Sequence, residues 1–136
     1  MLSQLCIRLI HKHFDTKEGE VMVFEKVVVP AYGTVQTMKP AVPAVNHQLH
    51  GIHYFVDGEK SLQAYEYASC ATPDVTAFQL FLDDFCRVVS ERGLQHKFGL
   101  KFKGDDELSN VGWTEFEFHR KRGTIMLQDG MPYARR

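Results

Sequence analysis

The segment from residue 72 to 94 constrains the fold most strongly, because its apolar residues recur with the period of an amphipathic helix. Thr72 or Asp74 can cap its start, and Gly93 suits the left-handed residue that follows a last helical turn. The predicted helix spans residues 74–92. Such an apolar stripe requires a partner surface. The stripe consists of Val75, Phe78, Leu82, Phe85 and Val89.

The composition indicates one folded domain, residues 1–136, with one core. Hydrophobic residues make up 44% of the 136 residues and charged residues 24%, which gives enough apolar surface to offset the entropy of ordering. The net charge of −1 gives no reason to expect nucleic acid or an acidic membrane as a partner. The three cysteines lack the short spacings of metal or redox motifs, so we expect reduced thiols in the cytoplasm.

The rest of the chain has mostly the alternating pattern of β-strands. The first two predicted strands are expected to pair as a hairpin, and an Asp57-Gly58 or Gly58-Glu59 turn predicts a second hairpin. The expected fold is α+β, with a curved antiparallel sheet of about six or seven strands packed on one central helix and a concave side able to hold a ligand. The predicted strands cover residues 5–14, 20–29, 50–57, 60–69, 96–103, 113–119 and 124–128.

Residues 30–46 are predicted to form a long loop, with a short strand at 32–37 as the alternative. Pro30, Pro40 and Pro43 interrupt this segment, and its other residues are mainly small or apolar. Long connections without regular structure are often lids or binding loops. We therefore expect a loop held against the body of the protein as a candidate lid.

Two histidines are candidates for acid–base catalysis. His119 shares a strand face with Glu117, and a carboxylate beside an imidazole can fix its tautomer and raise its basicity. His53 and Tyr65 lie on the second hairpin and could supply another imidazole and a phenol. The same pattern around His119 is also typical of a solvated outer strand.

A second pattern suggests metal binding. His11 and His13 are two residues apart on a predicted strand, so their side chains point to the same face. With Glu18 they resemble the first motif of the cupin family, which implies a site for Zn, Fe or Mn built from two histidines and one carboxylate. The second cupin motif has no counterpart in this chain. An exposed or hydrogen-bonded pair of strand histidines is the alternative.

Three functions remain open from the sequence. The first is a small cofactor-independent enzyme, of the isomerase, cyclase or dehydratase/lyase type, that acts on an apolar small molecule. The absence of glycine-rich phosphate loops disfavours nucleotide cofactors. The second is a metal-binding, cupin-like protein. The third is a non-catalytic ligand-binding or assembly module, which we expect to be a homodimer formed through an exposed sheet edge or the outer face of the helix.

Overall fold

The computed structural model describes residues 2–10, 12, 14–31, 33–43, 48–69, 78–104 and 112–129. These residues form eight strands and one helix, α1, which spans Gln79–Glu91. A short 3-10 helix, His119–Lys121, joins the last two strands. The strands are β1 (Leu2–Leu9), β2 (Val21–Val29), β3 (Gly33–Ala41), β4 (His50–Val56), β5 (Leu62–Ala68), β6 (Phe98–Gly104), β7 (Trp113–Phe118) and β8 (Gly123–Gln128).

All eight strands belong to one curled sheet, in the order β1-β6-β4-β5-β2-β3-β8-β7. Every neighbouring pair is antiparallel except β2 and β5, which run parallel. The α+β class and the curved sheet with its single helix are confirmed. The sheet contains one more strand than the upper expected number, and one of its pairings is parallel.

The expected hairpin between the first two strands is wrong. In the structure β1 pairs with β6, where Ile7 lies opposite Leu100, and β2 lies between β5 and β3. The connection after β1 therefore leads from the edge of the sheet to its middle. Alternation along a strand tells which residues share a face, but it does not select the neighbouring strand.

The predicted loop over residues 30–46 contains a regular strand, β3, so most of it is not a lid. Ala31, with φ 68°, and Gly33, with φ 110°, make the tight turn from β2 into β3. Pro40 lies within β3 opposite Met22. Strand β8 pairs with β3 only along residues 35–38, so Pro40 lies beyond the end of that pairing. The missing N–H of Pro40 therefore costs no hydrogen bond to β8.

The main core lies between α1 and the half of the sheet that contains β4 and β6. Leu82, Phe85 and Val89 of α1 pack with Val56 and Leu100, and all five are buried. The end of the helix follows the prediction: Gly93 has φ +65°, and the Leu94 N–H donates to the Val89 carbonyl at 2.9 Å. The predicted start of the helix falls in residues 70–77, which lie outside the described residues.

The β4–β5 hairpin is confirmed, although its turn is longer than the two residues expected. The Asp57 carboxylate accepts hydrogen bonds of 2.9 Å from the backbone N–H groups of Glu59 and Ser61, and these bonds lower the pKa of Asp57. Lys60 completes the turn with φ 63°. The register of this hairpin shifts on both sides of His53, so that His53 lies opposite Glu66.

Candidate functional site

Residues from all eight strands line one pocket, and none of the lining residues belongs to α1. Arg8 of β1 and Glu115 of β7 both line it, although these two strands end the sheet order on opposite sides. The sheet therefore curls until its two edges border the same space. The pocket volume is about 110 Å³, comparable with the cavity of about 150 Å³ that accepts benzene in another protein. The curl thus creates room for a molecule of a few non-hydrogen atoms.

The pocket is where the described part of the chain buries its polar side chains. Gln36, Glu66 and Thr124 are the three buried polar residues among those described, and all three line this pocket. They come from β3, β5 and β8, which are not consecutive in the chain. Burying a polar group without a partner costs about 1–3 kcal/mol, so such groups are normally hydrogen-bonded. Their convergence favours a pocket that receives polar groups of a ligand.

His53 and Glu66 form an imidazole–carboxylate pair in the wall of the pocket. His53 Nδ1 lies 3.1 Å from Glu66 Oε1, and the side chains are only 15% and 9% exposed. The ring nitrogen is close enough for an ion pair but lacks the alignment of a hydrogen bond. Both ring nitrogens of His53 are buried, and among the described residues neither has a hydrogen-bond partner. A buried imidazole with two unsatisfied nitrogens is uncommon, and a catalytic role is one of the explanations for such a group.

Lys101 extends this pair into a row across three neighbouring strands. Lys101 of β6 lies opposite His53 of β4, and His53 lies opposite Glu66 of β5. Residues directly opposite in a sheet project to the same face, with Cβ atoms about 4.5–5.5 Å apart. All three line the pocket. The pocket wall therefore presents a cation, an imidazole and a carboxylate side by side.

Tyr65, also predicted for the site, lies beside His53. The two rings stack with centroids 5.7 Å apart and an interplanar angle of 21°. Tyr65 and Glu66 also line a smaller space of about 10 Å³, which Lys12 and Phe14 border from the connection between β1 and β2. The structure thus brings His53 and Tyr65 together, and Lys12 and Phe14 border a small space that shares Tyr65 and Glu66 with the pocket.

The structure places His119 and Glu117 apart from these residues. The pair lies at the end of β7 and in the 3-10 helix that follows, with His119 Nε2 3.7 Å from Glu117 Oε2. Their side chains are 79% and 42% exposed, and neither lines the pocket. The His119 ring makes an edge contact with Phe14, with centroids 5.5 Å apart. Of the two predicted imidazole sites, only that of His53 lies in an enclosed space.

The predicted metal ligands give no comparable site within the described ranges. His11 and His13 lie outside the described residues, and Glu18 is exposed in the turn before β2. In the part of the chain that the structure describes, no three His, Cys, Asp or Glu side chains converge as a metal site would require. Binding of Zn, Fe or Mn by His11, His13 and Glu18 therefore stays a prediction.

Sequence reasoning missed Glu66 and Lys101. Without a bulge, the strand partner of His53 would be Tyr65, and the register shift replaces it with Glu66. Lys101 alternates with Phe98, Leu100 and Phe102, a pattern that is typical of a solvent-exposed face. In the structure, however, the Lys101 side of β6 faces the pocket. The sequence signal that could have identified Glu66 is its position between two tyrosines, on the strand predicted to pair with that of His53.

No known protein family, curated protein or solved structure matches this chain. Within the described ranges, the single helix is too short to cross a membrane. The function of the protein is therefore inferred from the geometry of the pocket.

Proposed function

We propose that this protein is a small cofactor-independent enzyme of the isomerase or lyase type, which transfers a proton within a small molecule bound in the pocket. The observation that carries this proposal is the buried His53 beside Glu66, with neither ring nitrogen hydrogen-bonded among the described residues. Imidazole is the side chain most often used for general acid–base catalysis. A bound substrate is the partner that the proposal assigns to His53 Nε2.

The proposed proton transfer follows from which ring nitrogen of His53 lies beside Glu66. Nδ1 lies toward Glu66, so Nε2 is the nitrogen left for the substrate. In the proposed reaction Nε2 takes a proton from a substrate carbon, and the Glu66 carboxylate stabilises the imidazolium that forms. Return of the proton to a different carbon gives isomerisation. Transfer of the proton to a leaving hydroxyl gives water and a double bond, which is a dehydratase reaction.

The pocket favours a substrate that is small and carries polar groups. Its walls mix apolar side chains such as Phe24 and Met126 with Gln36, Thr124 and ionic groups. This supports a more polar substrate than the apolar molecule expected from the sequence. A volume of about 110 Å³ also favours a molecule of a few non-hydrogen atoms.

A proton-exchange screen tests this proposal. The full chain is incubated in D₂O with small ketones, aldehydes, alcohols, carboxylic acids and amino acids, and loss of carbon-bound proton signals is followed by NMR. The proposal predicts that at least one compound exchanges faster than in buffer. Saturation-transfer NMR identifies compounds that bind without exchange. Binding of one or more compounds with no exchange of any compound would contradict the enzyme proposal and favour a non-catalytic binding module.

Exposed apolar residues on both edge strands favour a homodimer as a further property. Ile7 and Leu9 of β1 are exposed, as are Phe116 and Phe118 of β7, and among the described strands these two have a neighbour on one side only. Exposed edges with apolar side chains commonly pair with another chain. Light scattering after size exclusion is expected to give twice the monomer mass of 15.6 kDa. A monomer at all concentrations would contradict this.

A reducing compartment fits the cysteines that the structure describes. Cys6 and Cys86 are both free thiols. Free thiols persist in the cytoplasm, whereas oxidising compartments favour disulfides. We therefore extend the proposal to a cytoplasmic enzyme, which localisation of the tagged chain in cells would test.

A further inference from the structure

We infer that the substrate is a small carbonyl compound with a hydrogen on the carbon next to the carbonyl group, and that Lys101 stabilises the oxygen anion formed when His53 removes that hydrogen. This inference rests on the proposed proton transfer and adds a substrate class and a third catalytic residue to it.

The sheet register places a lysine next to His53 in the wall of the pocket. Lys101 is directly opposite His53 in the sheet register, and both side chains border the pocket. Glu66 is on the other side of His53, so the carboxylate and the ammonium flank the imidazole from neighbouring strands. A substrate carbon at His53 therefore has its adjacent atoms within the reach of the flexible four-carbon stem of Lys101.

The chemistry explains why a carbonyl group suits this row. When His53 takes the proton, the electron pair of the broken C–H bond forms a carbon–carbon double bond, and the carbonyl electrons move onto oxygen. The products of the step are an enolate oxygen anion and a protonated His53. A positive group held beside a developing oxygen anion stabilises the transition state more than the ground state. Return of the proton from His53 restores neutral imidazole, and no oxidant or cofactor is required.

The alternative role for Lys101 is to bind a carboxylate of the substrate at a position remote from the reacting carbon. The two roles differ in kinetics. Loss of uniform binding raises KM and leaves kcat unchanged, whereas loss of an interaction made only in the transition state lowers kcat. Glu66 and Glu115 line the same pocket and would repel a substrate carboxylate. The carbonyl role is therefore the one that the arrangement favours.

The test measures proton exchange in D₂O for two matched pairs of neutral probes, dihydroxyacetone against glycerol and acetone against propan-2-ol. Within each pair the carbon skeleton is the same, and only the first compound has a ketone. The inference predicts exchange of a ketone and none of its alcohol. It also predicts that Lys101→Met lowers kcat for exchange by about 10²–10³-fold with little change in KM. Lys101→Arg keeps the positive charge and is expected to restore part of kcat.

Lys97→Met is the control for loss of a lysine, because Lys97 is exposed before β6 and lies over the Phe98 ring on the helix side. Its exchange rate is expected to equal that of the wild type. Circular dichroism establishes folding, and if Lys101→Met does not fold, Lys101→Arg and the ketone–alcohol pairs decide. Exchange only of compounds that lack a ketone or aldehyde group, or a change in KM alone, would overturn this inference while leaving the proposed function in place. No exchange of any compound in the wider screen would overturn both.

Discussion

Arg122 donates two hydrogen bonds, each 2.8 Å long, to the two carboxylate oxygens of Glu20. This bidentate ion pair joins the turn before β8 to the connection between β1 and β2. Arg122 has a left-handed backbone, with φ 51°, and its guanidinium also donates to the Asp15 carbonyl at 3.3 Å. Together with the contact between Phe14 and His119, this ion pair holds the connection between β1 and β2 against the last hairpin.

The Glu20–Arg122 pair predicts a specific pH dependence of stability. The Arg122 hydrogen bonds, aided by the Lys17 N–H, lower the pKa of Glu20 from 4.5 to about 2. Because the pKa in the folded state is the lower one, the stabilisation is fully present above pH 4.5 and is lost as the pH falls toward 2. Glu20→Gln should therefore lower Tm at pH 7, and its deficit relative to the wild type should shrink between pH 4.5 and 2.

Glu18→Gln is the matched control for that experiment, because Glu18 is an exposed carboxylate in the same turn. Its Tm is expected to follow the wild type across the whole range. A Glu20→Gln deficit that stays constant from pH 7 to pH 2 would show that the ion pair is not its cause.

Gly51 is predicted to tolerate no side chain. A Cβ there would lie 2.6 Å from Tyr54 Oη and 2.7 Å from Ala64 Cβ, and the Tyr54 hydroxyl donates to the Gly51 carbonyl at 3.1 Å. Gly51→Ala should cost about 1–3 kcal/mol in urea unfolding, as overpacking does. Gly58→Ala is the control, since its Cβ would meet no atom within 4 Å, and it should change stability by about 1 kcal/mol or less. Equal effects at both positions would contradict the packing around Gly51.

The contact between α1 and the sheet predicts a large cost for Leu100→Ala. Leu100 is 2% exposed and lies in the cluster formed with Val56 and the helix. Removing its side chain should lower the free energy of unfolding by about 2–5 kcal/mol. Leu80→Ala, at an 83% exposed position of the same helix, should change it by about 0.5 kcal/mol or less. A similar small loss at both positions would mean that α1 does not pack on β6 as described.

The local features of the fold could be predicted from the sequence, because they depend on neighbours in the chain. The burial of Leu82, Phe85 and Val89 follows from helical periodicity, and the left-handed Gly93 follows from its place after the last turn. The hairpin at Asp57 follows from its turn residues. The partners of β1 and β2 could not be predicted in this way, since strand pairing between distant segments leaves no local pattern.

The candidate site was only partly predictable for the same reason. His53 and Tyr65 were identified by residue type, whereas the roles of Glu66 and Lys101 depend on a bulge and on which face of β6 meets the pocket. His119 and Glu117 have equally suitable chemistry, yet their positions leave them largely exposed. Residue type suggests chemistry, and only the fold determines which of two similar pairs is enclosed.

The role of His53 as general base is tested by comparing His53→Gln with His119→Gln in D₂O exchange, using the compound that the wild type exchanges fastest. The two substitutions remove the same group from two imidazole–carboxylate pairs, one enclosed and one exposed. We expect His53→Gln to lose about 10²–10⁴-fold in exchange rate, as removal of a general base does, and His119→Gln to match the wild type. Full activity in folded His53→Gln would show that His53 is not the general base.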